Sequence, residues 1–410
     1  MLRNYVLVAL KVLGRRKFFT FISLFGISLT LVVLMVATAV MDNVFSSRKP
    51  ETKFDRVLTL GRVRTEGPRS TRTGYAGYGL LTKYLYGLPG AEAVAIASDT
   101  SGLSIYHGGR KIESYIRHTD GAYWQVLDFQ FLEGGPFSEA DNRNANRVAV
   151  ITDQLRAKLF GTGPALGKTF ALEAESYRVV GVVPAVPITR LAAFSEVWTP
   201  IRTLRARDYE KSIVGSFMGL VLARDRSDFP RLRNEFKKRL EHFVFDDPAF
   251  TTIEAELETR FDGFARLLLG NIQNRQAAAM RILMIAIALL FVTLPTINLV
   301  SINLSRIMER APEIGVRKAF GASSRTLIGQ FVVENIVLTL IGGVLGFLLS
   351  LVALEALSRA DFLPHAHFDV NFRIFFYGMV IAALFGVVSG VYPAWRMSRM
   401  QAVQALRGAL

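Results

Sequence analysis

The residue types that could do chemistry are few in this chain, and their spacing rarely serves it. There are 5 histidines and no cysteine, which excludes disulfides, thiolate metal sites and cysteine nucleophiles. GTGPALGKT, residues 161–169, resembles a phosphate-binding loop. Such a loop needs a glycine five positions before the Gly-Lys pair and a strand leading into it. Thr162 stands at that position, and the preceding segment reads as a helix end. His365 and His367 could offer two ring nitrogens to a metal, but only Asp361 or Asp369 stands nearby as a third ligand. His107, His118 and His242 are isolated, and Asp246-Asp247 and Glu254, Glu256 and Glu258 read as solvated faces. No Ser-His-Asp arrangement can be built from these spacings. Glu334 and Glu355 flank an apolar run, near enough to its ends to reach water. The chain is therefore expected to be no enzyme, with no catalytic residue, no metal site and no bound cofactor.

What must be positioned is instead a set of helices. Apolar runs cover residues 18–41, 282–304, 331–354 and 374–395. Each can cross a hydrocarbon core of roughly 30 Å at about 1.5 Å per helical residue. The expectation is an α-helical membrane protein with four transmembrane helices and a large extracytoplasmic α+β domain inserted between helices 1 and 2. Charge orients it. Residues 1–17 carry Arg3, Lys11, Arg15, Arg16 and Lys17 and no acid; residues 305–330 carry five basic residues against Glu309 and Glu313; residues 396–410 carry three arginines. Basic residues collect at cytoplasmic span ends. Both termini and 305–330 are thus expected in the cytoplasm, and 42–281 with the 355–373 loop outside, in a bacterial inner membrane.

The net charge of +15 could also suggest nucleic acid. Residues 42–281, however, hold 34 basic against 28 acidic residues, so the excess sits beside the spans and no nucleic-acid partner is expected. The first run exceeds the 7–15 residues of a signal-peptide core and is expected to be retained despite Ala37-Thr38-Ala39.

Within this frame, 1–17 reads as an amphipathic helix on the inner membrane surface, touching lipid. Residues 62–79, RVRTEGPRSTRTGYAGYG, read as a flexible loop. Residues 42–253 form the α+β domain, with about 101–212 inserted between two β/α halves. Residues 254–281 read as one stalk helix entering the second span, whose Pro295 should loosen it. Gly342 with Gly346, and Gly386 with Gly390, have the spacing that lets membrane helices approach closely. That spacing serves packing within one bundle or a dimer contact equally. Between spans two and three, Pro312 and Glu313 suit a helix start and Gly321 a helix stop. This short amphipathic segment suits docking into a partner's groove.

PEIGVRKAFGAS, residues 312–323, followed by QFVVENIVLTLIGGVLG, closely resembles the signature of the FtsX-like permease family, the MacB-type membrane subunits of ABC transporters. YPAWRMSRMQAVQALRG resembles the family's closing pattern, although Gln401 stands near the place of its usual proline. RVAVITDQLRAKLFG, LGKTF and YRVVGVV resemble its exported core domain. The resemblance implies four spans per chain, a dimer with an identical or paralogous permease, and a separate cytosolic ABC ATPase that carries ATP and Mg. It implies that Glu313, Ile314, Gly315, Arg317, Lys318, Gly321 and Ala322 form the ATPase-coupling surface. It further implies mechanotransmission: closure of the ATPase dimer rearranges the exported domains without a channel through the spans. With 17 residues ahead of the first span, the ATPase is expected on another polypeptide. Export of a peptide, drug or lipid-linked cargo, with or without a periplasmic adaptor, leads. A non-transporting regulator of an extracytoplasmic enzyme, and a membrane ligand sensor, remain as alternatives.

Overall fold

The structure is a computed structural model. It describes residues 2–15, 17–172, 175–245, 247–269, 278–287, 289–290, 316, 320, 323–360, 372–373, 375–380, 383–384 and 387. The chain divides into two units. One holds residues 1–43, 281–362 and 367–410, the other 44–280 and 363–366.

In the first unit, α1 (Leu2–Arg15) precedes α2 (Lys17–Phe45), most of which belongs here. In α1, Ala9 and Leu13 are buried while Leu7 and Leu10 are exposed. Two described helices are long and apolar enough to cross a membrane: Lys17–Phe45 and Val332–Arg359. The expected second span is described only as far as residue 290, and the fourth lies mostly outside the described residues.

The second unit is α+β. Its elements are β1 (Val57–Leu60), β2 (Arg62–Glu66), β3 (Thr71–Ala76), α3 (Tyr78–Tyr84), β4 (Ala91–Ser98), β5 (Ser101–His107), β6 (Arg110–Thr119), α4 (Tyr123–Val126), β7 (Glu133–Gly134), α5 (Glu139–Arg143), β8 (Val148–Thr152) and α6 (Asp153–Phe160). There follow β9 (Thr169–Leu172), β10 (Glu175–Val183), β11 (Val197–Pro200), β12 (Val214–Gly215), β13 (Phe217–Ala223), α7 (Phe229–Glu241), β14 (Thr252–Ala255) and α8 (Arg260–Leu269). Beyond these, in the first unit except at their shared boundary, come α9 (Ala278–Ile287) and α10 (Ser324–Arg359).

The strands form one sheet in the order β14-β2-β3-β13-β4-β6-β11-β8-β10-β7, with β1 also on β13, β12 on β3, β5 on β6 and β9 on β10. The 101–212 segment supplies β5 to β11, and these extend the sheet rather than build another. The join is narrow: β4 meets β6 at Ala97↔Thr119. Two pairs are parallel, β8 with β10 and β6 with β11; α6 and β9 supply the long connection the first of these requires.

FMGLVLA on β13 has no polar alternation because both of its faces are covered. Phe217, Val221 and Ala223 face a core with Leu81 of α3, Leu85 at its C-cap and Phe236 of α7. Leu220 and Leu222 face the opposite core with Tyr123 and Trp198. Local signals set the ends of α6: the Thr152 hydroxyl accepts from Leu155 N–H, and Gly161 closes the helix at φ +69°.

Two expectations need correction. Residues 62–79 are not a flexible loop but the β2–β3 hairpin and the start of α3, with Arg62↔Tyr75 through Glu66↔Thr71 in register. Val63 and Thr65 point inward at 1% and 2% exposure between outward arginines, a period of two that the polar composition concealed. The stalk helix does not begin at Glu254. Thr252–Ala255 pairs with β2, and the helix starts at Arg260 behind a reciprocal cap. There, Asp262 N–H donates to the Thr259 hydroxyl at 3.2 Å and Thr259 N–H to the Asp262 carboxylate at 3.1 Å. Residues 270–277 lie outside the described residues.

Candidate coupling site

The residues assigned to ATPase coupling, Glu313, Ile314, Gly315, Arg317, Lys318, Gly321 and Ala322, lie outside the described residues, as do Gly386, Gly390, His365 and His367. Val316 and Phe320, within the same segment, are exposed. Gly342 and Gly346 are described, on α10. A Cβ on Gly342 would stand 2.9 Å from Ile27 Cγ2, and one on Gly346 3.0 Å from Leu31 Cβ and 3.2 Å from Ser28 Cα. The Ser28 hydroxyl donates to the Gly342 carbonyl at 2.9 Å. The first glycine pair therefore brings α10 against α2 of its own chain. Glu334 corrects an expectation: it does not reach water but is buried at 2% exposure, with Asn335 and Thr339 buried near it in sequence. Glu355 is exposed and pairs with Arg359 at 2.7 Å.

The phosphate-loop lookalike sits after a helix and before an edge strand, not between a strand and a helix N-terminus. Its Lys168 ammonium lies over the Phe160 ring, 5.2 Å from the centroid. Among the described residues no three metal-ligating side chains cluster. His118 is half-buried with its Nδ1 2.8 Å from the Thr199 hydroxyl, and desolvation holds its pKa down at about 4. Asp120 is fully buried. It accepts from Ile96 N–H at 2.7 Å, Tyr123 N–H at 3.0 Å and the Tyr86 hydroxyl at 2.5 Å. Burial nevertheless pushes its pKa up to about 7.

One constellation, which sequence reasoning missed, is built where the chain enters and leaves the α+β domain. Glu51 stands seven residues beyond Val44, and Arg260 opens α8 at the other end of the domain. Arg260 contacts the Glu51 carboxylate and donates to the Val44 carbonyl at 2.9 Å. Its guanidinium also covers the Phe54 ring, 4.1 Å from the centroid. Arg190, from the loop between β10 and β11, lies 3.7 Å from the same carboxylate and donates to Ser46 Oγ at 3.1 Å. The Glu51 and Arg190 side chains are 1% and 3% exposed. Phe45 packs on Phe261 and Phe264 with ring centroids 5.7 and 5.1 Å apart. Burial raises the Glu51 pKa, opposed by both guanidiniums and by the backbone N–H groups of Ala192 and Ala193.

A second buried arginine anchors that loop to the sheet. Arg117 on β6 donates to the Phe194 carbonyl at 3.2 Å, the Leu191 carbonyl at 2.9 Å, the Ser98 carbonyl at 2.8 Å and the Thr100 hydroxyl at 2.5 Å. Loop 187–194 thus joins the domain's two chain ends to the middle of its sheet. No local pattern flags Glu51, Arg190 or Arg260. Arg190 and Ser46 stand 144 residues apart in sequence and Arg260 and Val44 216, so a window of neighbours carries no sign of them. The cluster ties residues 44–54 to the start of α8.

The model of the MacB-like periplasmic core domain matches residues 20–239, and that of the FtsX-like permease C-terminal region matches residues 285–402. The chain belongs to the MacB-type, FtsX-like family of ABC transporter permeases. Among relatives of this permease is the macrolide export ATP-binding/permease protein MacB of Pasteurella multocida. It is 27% identical over 297 residues, covering 72% of this chain and 43% of that one. An uncharacterised ABC transporter permease of Bacillus subtilis, YknZ, is 24% identical over 330 residues, covering 79% of this chain and 77% of its own. The pyoverdine export protein PvdT of Pseudomonas entomophila is 26% identical, with 74% and 44% covered. The permease thus spans less than half the length of the ATP-binding/permease relatives it matches. Among solved structures, the periplasmic region of MacB from Actinobacillus actinomycetemcomitans aligns at 16% identity and a TM-score of 0.36, covering 53% of this chain and 94% of that one.

Proposed function

We propose that this permease converts ATP hydrolysis by a separate cytosolic ABC ATPase into movement of its extracytoplasmic α+β domain. The observation that carries the reading is the buried Glu51–Arg190–Arg260 cluster, which locks the two ends of that domain together. A domain tied at both ends by desolvated charges transmits a displacement instead of absorbing it in a slack linker. Glu313, Ile314, Gly315, Arg317, Lys318, Gly321 and Ala322 form the docking surface for the ATPase, which binds ATP and Mg. The permease works as a pair with itself or a paralogue, in a bacterial inner membrane with both termini in the cytoplasm. Its cargo is a peptide, drug or lipid-linked compound, a reading supported by relatives named for macrolide and pyoverdine export. A periplasmic adaptor would carry the cargo onward.

The test is co-purification in mild detergent with the ATPase expressed alongside. Glu313→Lys and Gly315→Arg should each release the ATPase while leaving the permease inserted in the membrane. Full retention of the ATPase on both variants would refute the docking surface. Glu51→Gln should keep the ATPase bound but lower its permease-dependent hydrolysis; unchanged hydrolysis would refute transmission through the tied ends.

A further inference from the structure

Where the 101–212 segment joins the rest of the sheet, a cleft of about 830 Å³ opens that the coupling reading does not use. Its size falls in the range of about 300–1,000 Å³ common to small-molecule sites. Tyr78 and Tyr86, from α3 and the loop behind it, supply one wall. Trp124 of α4 and Phe137, both in the 101–212 segment, supply aromatic surface on the other. The cleft therefore straddles the narrow join at Ala97↔Thr119.

Its acids are spent on holding those walls. Asp120, one residue beyond that join, accepts from the Tyr86 hydroxyl at 2.5 Å and from Ile96 and Tyr123 N–H groups at 2.7 and 3.0 Å. Glu139 is the one acidic residue in the lining. One of its oxygens accepts from Gly121 N–H at 2.8 Å, the other from Asn142 Nδ2 at 3.1 Å. The Trp124 and Phe137 rings meet edge to face, with centroids 5.2 Å apart. The aromatic surfaces are thus fixed before any ligand arrives, which lowers the ordering cost of binding.

Two arginines are left over. Arg143 ends α5, and Arg202 lies in the turn after β11. The two backbones are linked, because Arg202 N–H donates to Asn142 Oδ1 at 3.3 Å. Both side chains line the cleft and are exposed, and neither guanidinium has an ion pair or hydrogen bond among the described residues. The arginines that follow do pair, Arg205 with Glu175 and Arg207 with Glu210. A guanidinium offers a planar fork of donors that matches a carboxylate. Both charged groups still free to bond a ligand here are therefore cations, set beside four aromatic rings.

We propose that this cleft binds a small soluble aromatic carboxylic acid, its ring between the aromatic walls and its carboxylate on Arg143 and Arg202. Such a ligand bridges α3 and α5 across the join. The proposal goes beyond the coupling reading and does not rest on it.

The test uses the full chain in mild detergent without ATPase, so its failure leaves the coupling reading intact. The probe is para-benzoylbenzoate, a photo-crosslinking aromatic acid, compared at equal free concentration with its benzyl alcohol analogue. Labelled peptides are mapped by mass spectrometry. The acid should label peptides holding Trp124 or Phe137 about five-fold more than the alcohol does, the upper reach of a solvent-exposed ion pair. The double variant Arg143→Gln/Arg202→Gln should bring the acid down to the alcohol's level and leave the alcohol unchanged. Thr82→Phe on α3 and Gln125→Phe on α4 fill the cleft from opposite walls. Each should reduce labelling by both probes about ten-fold while the Trp fluorescence melt stays in place. Equal labelling by acid and alcohol overturns the proposal. So does acid labelling undiminished in the double arginine variant, or labelling of those peptides that survives in a folded filling variant.

Discussion

Replacing Glu51 with Gln tests the tie at its centre. The substitution keeps shape and removes the carboxylate that two guanidiniums share. Arg190 is 3% exposed and Arg260 17%, so neither can recover full hydration without moving. Removing one partner of a buried ion pair costs about 3–5 kcal/mol, because the remaining charge is left uncompensated. Here the remaining contacts soften the loss. Arg260 keeps the Val44 carbonyl and the Phe54 ring, and Arg190 keeps Ser46. The low end, about 3 kcal/mol, is therefore expected. For a domain of this size that lowers Tm by about 6–12 °C. Of the three tryptophans, Trp124 and Trp198 both lie in the α+β domain, with ring centroids 6.3 Å apart, so fluorescence of the intact protein follows its unfolding. Arg190→Met in the Glu51→Gln background removes the surplus cation. The double variant should lose no more stability than Glu51→Gln alone, a departure from additivity of about 1–3 kcal/mol. A loss under about 1 kcal/mol for Glu51→Gln, or additivity within about 0.5 kcal/mol, would refute the cluster as a structural tie.

Other expectations follow from single sites. Gly346→Leu should separate α10 from α2 and lower the melting temperature of the detergent-solubilised protein by several degrees. Gly329→Ala on the same helix, where a Cβ meets nothing within 4 Å, should stabilise it by about 0.5–1 kcal/mol; equal effects from the two would count against the contact. Asp120, raised to about 7 from 3.8, binds more protons folded than unfolded between those values, so its contribution to stability is lost as pH rises through that window. Asp120→Asn should remove up to roughly 4 kcal/mol of that pH dependence, read from melts between pH 4 and 8; an unchanged profile rejects the assignment. Because the chain has no cysteine, single substitutions report sidedness cleanly. A membrane-impermeant maleimide should label Leu132→Cys and Val244→Cys in intact spheroplasts, and Phe320→Cys only after permeabilisation. Labelling of all three alike would overturn the topology.

The residues themselves determined a good deal. Long apolar runs and the placement of arginine and lysine depend on composition within a window, and the PEIGVRKAFGAS block identifies a family by contiguous residues. Capping is equally local, and the helix at Asp153–Phe160 is bounded by Thr152 and Gly161, whose partners are Leu155 N–H and the Ala157 carbonyl within the same helix. Tertiary structure alone decided the rest. The β2–β3 hairpin was hidden because sheet pairing on both sides, with β14 and β13 as outer partners, orders a polar segment that composition marks as a loop. Ile253 and Ala255 follow β2 into the sheet although their neighbours carry a helical pattern, because pairing outweighs the weak local preference. Gly342 and Gly346 advertise close approach, but only the fold shows Ile27, Ser28 and Leu31 opposite them. Glu51, Arg190 and Arg260 look like ordinary surface charges in the sequence. They become a buried cluster because folding brings the first and last residues of the α+β domain together, and charge burial is a property of that closure rather than of any neighbouring residue.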